Sequence, residues 1–240
     1  MKLVIDIGNT RAKYAVFKGT ELIKSFNSSH NDLLNQLDSI LQEYPYITSS
    51  IVSDVTNTGK NLLKNLSRLS LLYLNHDTSV PFKNDYATPT TLGKDRIALA
   101  AGAATLYPKQ NVLVVDAGSC ITYDLIDSNK TFLGGAISPG ITMRYRALSE
   151  FTAALPHLQP EVLKTQMGKS TTEAIHLGVM SGVVSEIESH IDQFNQEFEN
   201  LTVILTGGDA EFLFNQLKSG IFVRQNFLLE GLNAILDHNT

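Results

Sequence analysis

Tryptophan is absent from the 240 residues, cysteine occurs once and proline seven times. A single thiol, Cys120, forms no intramolecular disulfide, so the sequence gives no sign of an oxidising compartment. One thiolate cannot build a zinc cage, and His30, His76, His157, His176, His190 and His238 lack the i,i+4 spacing of a helical metal pair. A structural zinc is not expected. Blocks of lysine or arginine are also missing, and 19 basic against 24 acidic side chains leave a net charge of −5, which argues against a nucleic-acid partner. No uninterrupted apolar run nears the ~20 residues of a membrane span, and Asp6 falls where a signal peptide needs the middle of its apolar stretch. The expectation is a cytoplasmic protein without a membrane partner. With 43% hydrophobic and 18% charged residues the composition excludes a disordered chain. The length allows one large domain or two of about 120 residues.

What is present is a repeat. Leu3-Val4-Ile5-Asp6-Ile7-Gly8-Asn9-Thr10 and Leu113-Val114-Val115-Asp116-Ala117-Gly118-Ser119-Cys120 share an apolar strand, an Asp-x-Gly step and small polar residues, 110 positions apart. After each copy an apolar segment (Ala12 to Phe17, Ile121 to Ile126), a turn (Lys18-Gly19, Asp127-Ser128-Asn129) and a further apolar stretch read as a β-meander. Between the copies, Leu33, Leu34, Leu37, Ile40 and Leu41, and again Leu62, Leu63, Leu66 and Leu69, follow helical spacing. In the second half Val179, Val183, Ile187, Ile191, Phe194 and Phe198 form one stripe on a long helix expected to end near Asn200. The strand Thr202 to Leu205 then runs into Thr206-Gly207-Gly208-Asp209 and a helix over Ala210 to Leu217. This alternation predicts an α/β fold of two lobes, 1–110 and 111–240, with a ligand cleft between them.

The turn after Asp6 suits phosphate: Gly8 admits close backbone approach, and Asn9 and Thr10 offer short polar contacts. A carboxylate repels phosphate oxygens, so Asp6 is better placed holding Mg²⁺ or its waters. A matching loop at Asp116 to Ser119 and the flexible Thr206-Gly207-Gly208 loop, suited to adenine or ribose, complete a nucleotide site. Asp95 and Arg96 have two readings. An aspartate beside an attacking hydroxyl orients it and takes its proton, and a neighbouring guanidinium forks onto a carboxylate. Alternatively the two are an ion pair at the start of a helix over Ile97 to Tyr107, where Asp95 favours the positive dipole end. Cys120 is expected to be a small buried filler, and Asp124 lies near enough in sequence to support Asp116. Ala98, Ala100, Ala101, Ala103 and Ala104 around Gly102 suggest a helix packed closely on a neighbour. His176 and His190 fall on expected helices and receive no role.

The two lobes with their acidic loops resemble the superfamily of actin, the heat-shock chaperone ATPases and the sugar kinases, whose duplicated actin-like (ribonuclease H-like) lobes clamp a nucleotide. Gly93-Lys94-Asp95-Arg96, Tyr86 seven residues before it, Gly134-Gly135-x-Ile137-x-Pro139-Gly140 and Ser170-Thr171-x-x-Ala174 narrow the resemblance to the type III pantothenate kinases. The matches run from residue 6 to residue 208. The resemblance implies ATP-dependent phosphorylation of pantothenate, the first step of coenzyme A synthesis. By it, Asp6, Ile7, Gly8, Asn9, Thr10, Arg11, Ala12 and Lys13 hold the ATP phosphates, Ser119 contacts ATP, Asp95 is the base and Asp116 binds a monovalent cation such as K⁺ or NH₄⁺. Tyr86, Gly93, Lys94, Asp95, Arg96 and Thr171 line the pantothenate site, part of it supplied across a homodimer. Ser119 stands where the family commonly has threonine, and Ser170 where asparagine is usual.

Two other functions use the same loops. A kinase or phosphatase of the superfamily acts on another hydroxy acid, and an actin-like or chaperone-like switch uses nucleotide to drive assembly. A switch has no need of Asp95 and Arg96 beside the γ-phosphate, and a regulatory protein that lost catalysis has no need of both Asp6 and Asp95.

Overall fold

The computed structural model describes residues 1–56, 69–218 and 220–240. The first unit comprises Met1–Pro108, Lys130–Phe132 and Asn226–Thr240; the second comprises Lys109–Asn129 and Leu133–Gln225.

In the first unit, β1 (Lys2–Ile7), β2 (Ala12–Lys18) and β3 (Glu21–Ser28) form the expected meander. β4 (Ser49–Asp54) and β5 (Ser70–Tyr73) add in parallel, giving the sheet order β3-β2-β1-β4-β5. Alternation divides the sheet's faces. Leu3, Ile5, Ile7, Tyr14, Val16 and Val52 point to one side, where α1 (Leu33–Glu43) covers them with Leu33, Leu37, Ile40 and Leu41. Leu34, expected in that stripe, is exposed instead. Leu62, Leu63 and Leu66 of the second expected stripe lie outside the described residues. On the other face are Val4, Ala15 and Ile51, and with them, by register, Asp6, Lys13 and Ser53.

Two helices complete this unit. α2 (Lys94–Leu106) is the alanine-rich helix, and its neighbour is the C-terminal α6 (Phe227–His238). Their contact is backbone-close: a Cβ on Gly102 would lie 3.3 Å from Gly231 Cα. Lys2 of β1 pairs with Asp237 of α6. The short β6 (Lys83–Asn84) pairs in parallel with Thr131 and Phe132. The sequence expectation cuts the chain once, between 110 and 111. The compact units instead group 226–240 with the first residues, because the small-residue face of α2 is filled by α6.

In the second unit β7 (Val112–Ala117), β8 (Cys120–Ile126) and β9 (Thr131–Pro139) repeat the meander, and β10 (Thr202–Thr206) and β11 (Ile221–Val223) continue it in the order β11-β10-β7-β8-β9. Leu113, Val115, Ala117, Ile121, Tyr123 and Leu125 form one face. α3 (Ile141–Glu150) and the long α4 (Thr171–Glu197) supply Ile141, Tyr145, Val179, Val183 and Ile187 to the same core. Ser170 caps α4 by accepting from the Glu173 amide at 3.2 Å, while Glu173 Oε2 accepts from the Lys169 amide at 2.6 Å. α5 (Ala210–Phe214) is shorter than the expected 210–217, since tighter bonds such as Gln216 N to Leu213 O, 2.8 Å, end it. No helix among the described residues is long and apolar enough to cross a membrane.

Candidate active site

β1 ends in Asp6 and Ile7, and the chain reverses through Gly8, Asn9, Thr10 and Arg11 into Ala12 and Lys13. Gly8 N donates to Arg11 O at 3.1 Å, closing the turn. Asn9, Thr10 and Arg11 are exposed at its tip. Asp6 and Lys13 face each other across the hairpin. Only 7% of Asp6 is exposed, and burial pushes its carboxyl up to about 6; Lys13 opposes the rise, while Asp95 and Asp54 add to it. The Asp6–Lys13 turn of the sheet and Asp95 of α2 belong to the same unit.

Asp95 lies in the first turn of α2, where its Oδ1 accepts from the Arg96 amide at 2.8 Å. Gly93 makes room for that carboxylate, for a Cβ there would strike Asp95 Oδ1. Lys94 donates from Nζ to the backbone oxygen of Asp54 at 2.7 Å and stands 5.1 Å above the Tyr73 ring. Arg96 is 4% exposed, with its guanidinium carbon 5.4 Å from the Tyr86 ring centre and 5.6 Å from that of Phe132. Those two rings pack at 5.9 Å. Tyr86 is held from behind as well, its amide donating to Asn84 Oδ1 at 3.0 Å.

The second acidic turn lies in the second unit. Asp116 and Ala117 end β7, Gly118 N donates to Cys120 O at 2.9 Å, and Ser119 is exposed at the tip. Asp116 lies opposite Thr122 of β8 and Thr206 of β10. The glycine after Thr206 is required here: Gly207 has φ +99°, and a Cβ would strike Asp116 Oδ1 and Ala117 O. Asp209 follows, its amide on Ala117 O at 2.9 Å and its carboxyl raised by burial. Gly140 N donates to Ser119 O at 3.2 Å, so the Gly134 to Gly140 motif supports this turn. Thr171, by contrast, is exposed as the first residue of α4. Asp124 is fully buried on the same sheet face as Asp116, two register positions away.

Cys120 is a correction. It is exposed rather than a buried filler, because it opens β8 beyond the last paired residues, Ala117 and Ile121. The sequence reading also passed over Asp54, a third carboxylate at the end of an apolar strand. Ile51-Val52-Ser53-Asp54 carried the same signal as the other two turns, without the glycine. Its Oδ1 accepts from the Thr56 amide at 2.8 Å and hydroxyl at 2.9 Å, and Oδ2 from the Tyr73 hydroxyl at 3.3 Å. A second omission is the ion pair of Arg144 with Glu186, 2.7 Å, which also takes the Tyr123 hydroxyl at 2.9 Å. Burial works to raise the Glu186 carboxyl, but hydrogen bonds from Arg144, Ser138 and Tyr123 outweigh it and hold the group below its usual range.

Known proteins resemble this chain in sequence and in fold. The type III pantothenate kinase family model matches residues 2–193. A type III pantothenate kinase from Flavobacterium johnsoniae is 47% identical over 97% of this chain and 96% of its own length. Among solved structures, a protein from Campylobacter jejuni described as a Baf family transcriptional activator has a TM-score of 0.64 at 26% identity, covering 99% of this chain and 98% of its own. The glucokinase of an Antarctic psychrotroph has a TM-score of 0.54 at 15% identity, covering 100% and 99%; at that identity the likeness is one of fold, that of the actin-like ATPases and sugar kinases.

Proposed function

We propose, from the premise that the chain belongs to the type III pantothenate kinase family, a division of labour among its residues in phosphorylating pantothenate. The reaction moves the γ-phosphoryl group of ATP to the primary hydroxyl of pantothenate, giving 4'-phosphopantothenate, the first intermediate of coenzyme A biosynthesis. Phosphoryl transfer asks the protein for alignment and charge compensation rather than covalent help.

Asp95 is the base. Its Oδ1 is engaged by the Arg96 amide, which fixes the carboxylate and leaves the proton of the substrate hydroxyl to Oδ2. The Asp6 to Lys13 turn cradles the ATP phosphates, with the Gly8 backbone at close range and Arg11 and Lys13 supplying positive charge. Ser119 contacts the nucleotide from the second turn. Tyr86, the Gly93 to Arg96 loop and Thr171 line the pantothenate site, Lys94 through its backbone because its ammonium is held on the Asp54 carbonyl, and Arg96 is the partner for the substrate carboxylate, since a planar guanidinium matches that group. A homodimer that completes this site, and a cytoplasmic location, belong to the same reading.

The donor sets suit the cations that such a reaction uses. Asp6, desolvated and close to two further carboxylates, is a hard-oxygen group that gains from Mg²⁺ or its waters. Asp116, with the Ala117 carbonyl beside Gly207, offers one carboxylate and neutral oxygens, the donor set for K⁺ or NH₄⁺. Mg²⁺ supplies neutralisation of phosphate charge; the monovalent ion offsets the second carboxylate.

The observation that carries this reading is the setting of Asp95 in the first turn of α2, its Oδ1 held by the Arg96 amide and given room by Gly93, in the same unit as the Asp6 to Lys13 turn. The test is phosphopantothenate formation by purified protein with ATP, Mg²⁺ and K⁺, against a panel of other hydroxy acids. Pantothenate is expected to be the preferred acceptor by a wide margin; equal use of another hydroxy acid overturns the assignment.

A further inference from the structure

We propose that Lys94 is a positioning residue for Asp95, its ammonium tying the first turn of α2 to the ends of β4 and β5 instead of presenting a charge to substrate. This rests on Asp95 being the base.

Four observations meet at that side chain. Lys94 Nζ donates to the Asp54 carbonyl at 2.7 Å, a charge-assisted bond to backbone. The same ammonium lies 5.1 Å from the centre of the Tyr73 ring, within cation–π range. The two anchors are joined, because the Tyr73 hydroxyl donates to Asp54 Oδ2 at 3.3 Å. Asp54 is locked in turn by the Thr56 amide and hydroxyl on Oδ1.

The anchor belongs to the phosphate turn's own framework. Asp54 pairs with Ile7 in the β1–β4 register, and Val55 N donates to Ile7 O at 3.1 Å. Lys94, the neighbour of Asp95, is thus bonded to Asp54, whose register partner Ile7 is the neighbour of Asp6. A lysine has four rotatable bonds to its ammonium, and holding all of them costs rotamer freedom. The compensation is a defined rotation and height for the start of α2, where Asp95 is the next residue. Gly93, lacking a Cβ, leaves the space that Asp95 Oδ1 occupies. Misplacing a reacting group by about 1 Å can cost about a hundredfold in rate, so a tether at this point acts on turnover. A lysine that binds substrate acts on KM.

The experiment compares Lys94→Met, Lys94→Arg, Tyr73→Leu and Asp95→Asn in the full chain, measuring kcat, KM for pantothenate and thermal midpoint. Lys94→Met is expected to lower kcat by roughly tenfold or more with KM within about twofold and the midpoint within a few degrees. Lys94→Arg should restore most of kcat, because a guanidinium also donates to a carbonyl and stacks on an aromatic ring. Tyr73→Leu, which removes the ring beneath the ammonium and the hydroxyl on Asp54 Oδ2 but keeps the Lys94 bond to the Asp54 carbonyl, should lose kcat in the same direction by less, and it carries the test if Lys94→Met fails to fold. Parent kcat in Lys94→Met, a raised KM at unchanged kcat, or no recovery with arginine overturns the tether. If Asp95→Asn loses turnover while Lys94→Met does not, the tether alone is wrong; if Asp95→Asn turns over within a few-fold of the parent, the base assignment falls and takes the tether with it.

Discussion

The two acidic turns began from one plan and differ in what surrounds their carboxylates. In the first, four residues separate Ile7 from its partner Ala12, and Arg11 and Lys13 bring two cations to the hairpin. In the second, three residues separate Ala117 from Ile121, and Gly118, Ser119 and Cys120 carry no charge. Asp6 looks across at Lys13, Asp116 at Thr122. A turn rich in donors and cations suits polyphosphate, whereas a carboxylate among carbonyls and hydroxyls suits a weakly hydrated cation. On the proposed assignment one frame serves opposite charges, and the choice lies in the residues after the glycine rather than in the aspartate.

The sharpest way to break that comparison is at Asp95, the proposed base, which belongs to the same unit as the first turn. Asp95→Asn keeps the Arg96 amide bond and the nucleotide turn but cannot take a proton, so turnover should fall about 10²–10⁴-fold with nucleotide affinity retained. Steady-state rates alongside nucleotide titration decide it, and a variant within a few-fold of the parent rate removes Asp95 from the mechanism.

Next in size is a stability effect confined to the first turn. The Asp6 carboxyl is raised in the fold from 3.8 to about 6, so between those values the native state holds more protons than the unfolded chain. Stability of the metal-free, nucleotide-free protein should therefore fall as pH rises from 4 through 6, and the ionised group should then cost up to about 3 kcal/mol. Asp6→Asn should be the more stable protein at pH 7 and equal to the parent near pH 3.5, while losing activity. Urea midpoints across that range check it, and parallel curves for the two proteins refute it.

Asp116→Ala sharpens the other side. Activity of the parent should be low in sodium buffer and recover with K⁺ or NH₄⁺; the variant should ignore both ions at a rate roughly ten- to thirtyfold down, equivalent to about 1.4–2 kcal/mol. Full parent activity with neither ion present would separate Asp116 from any cation. The smallest effect expected is at Arg96→Lys, which keeps a charge against Tyr86 and Phe132 but loses the planar fork. Preference for pantothenate over its uncharged alcohol, pantothenol, should shrink; an unchanged preference assigns Arg96 to packing alone.

Much of this was legible in the chain. Strands at Leu3 to Asp6 and Leu113 to Asp116 were visible because each apolar run stops at a carboxylate and a glycine, and α1 and α4 because their leucine and valine stripes hold helical period over several turns. Local patterns do not carry distant partners. The alanine face of α2 announced a close neighbour, but nothing in its spacing named α6. Cys120 sat in an apolar context by sequence, yet its exposure is set by where the hairpin opens. Lys94 reaches Asp54 across 40 residues of chain, a contact that only the β1–β4 register and the start of α2 together create.

The return of residues 226–240 to the first unit has a consequence for the order in which the molecule matures. Synthesis is vectorial, and domains begin folding as they emerge. Nearly all of the second unit lies between Lys109 and Gln225 and is complete once that stretch has left the ribosome. The first unit, although made earliest, waits for Phe227–His238 before the small-residue face of α2 is covered and Lys2 meets Asp237. The half that carries Asp6 and Asp95 is begun first and closed last, so the nascent chain holds both carboxylates in an unfinished unit until α6 docks.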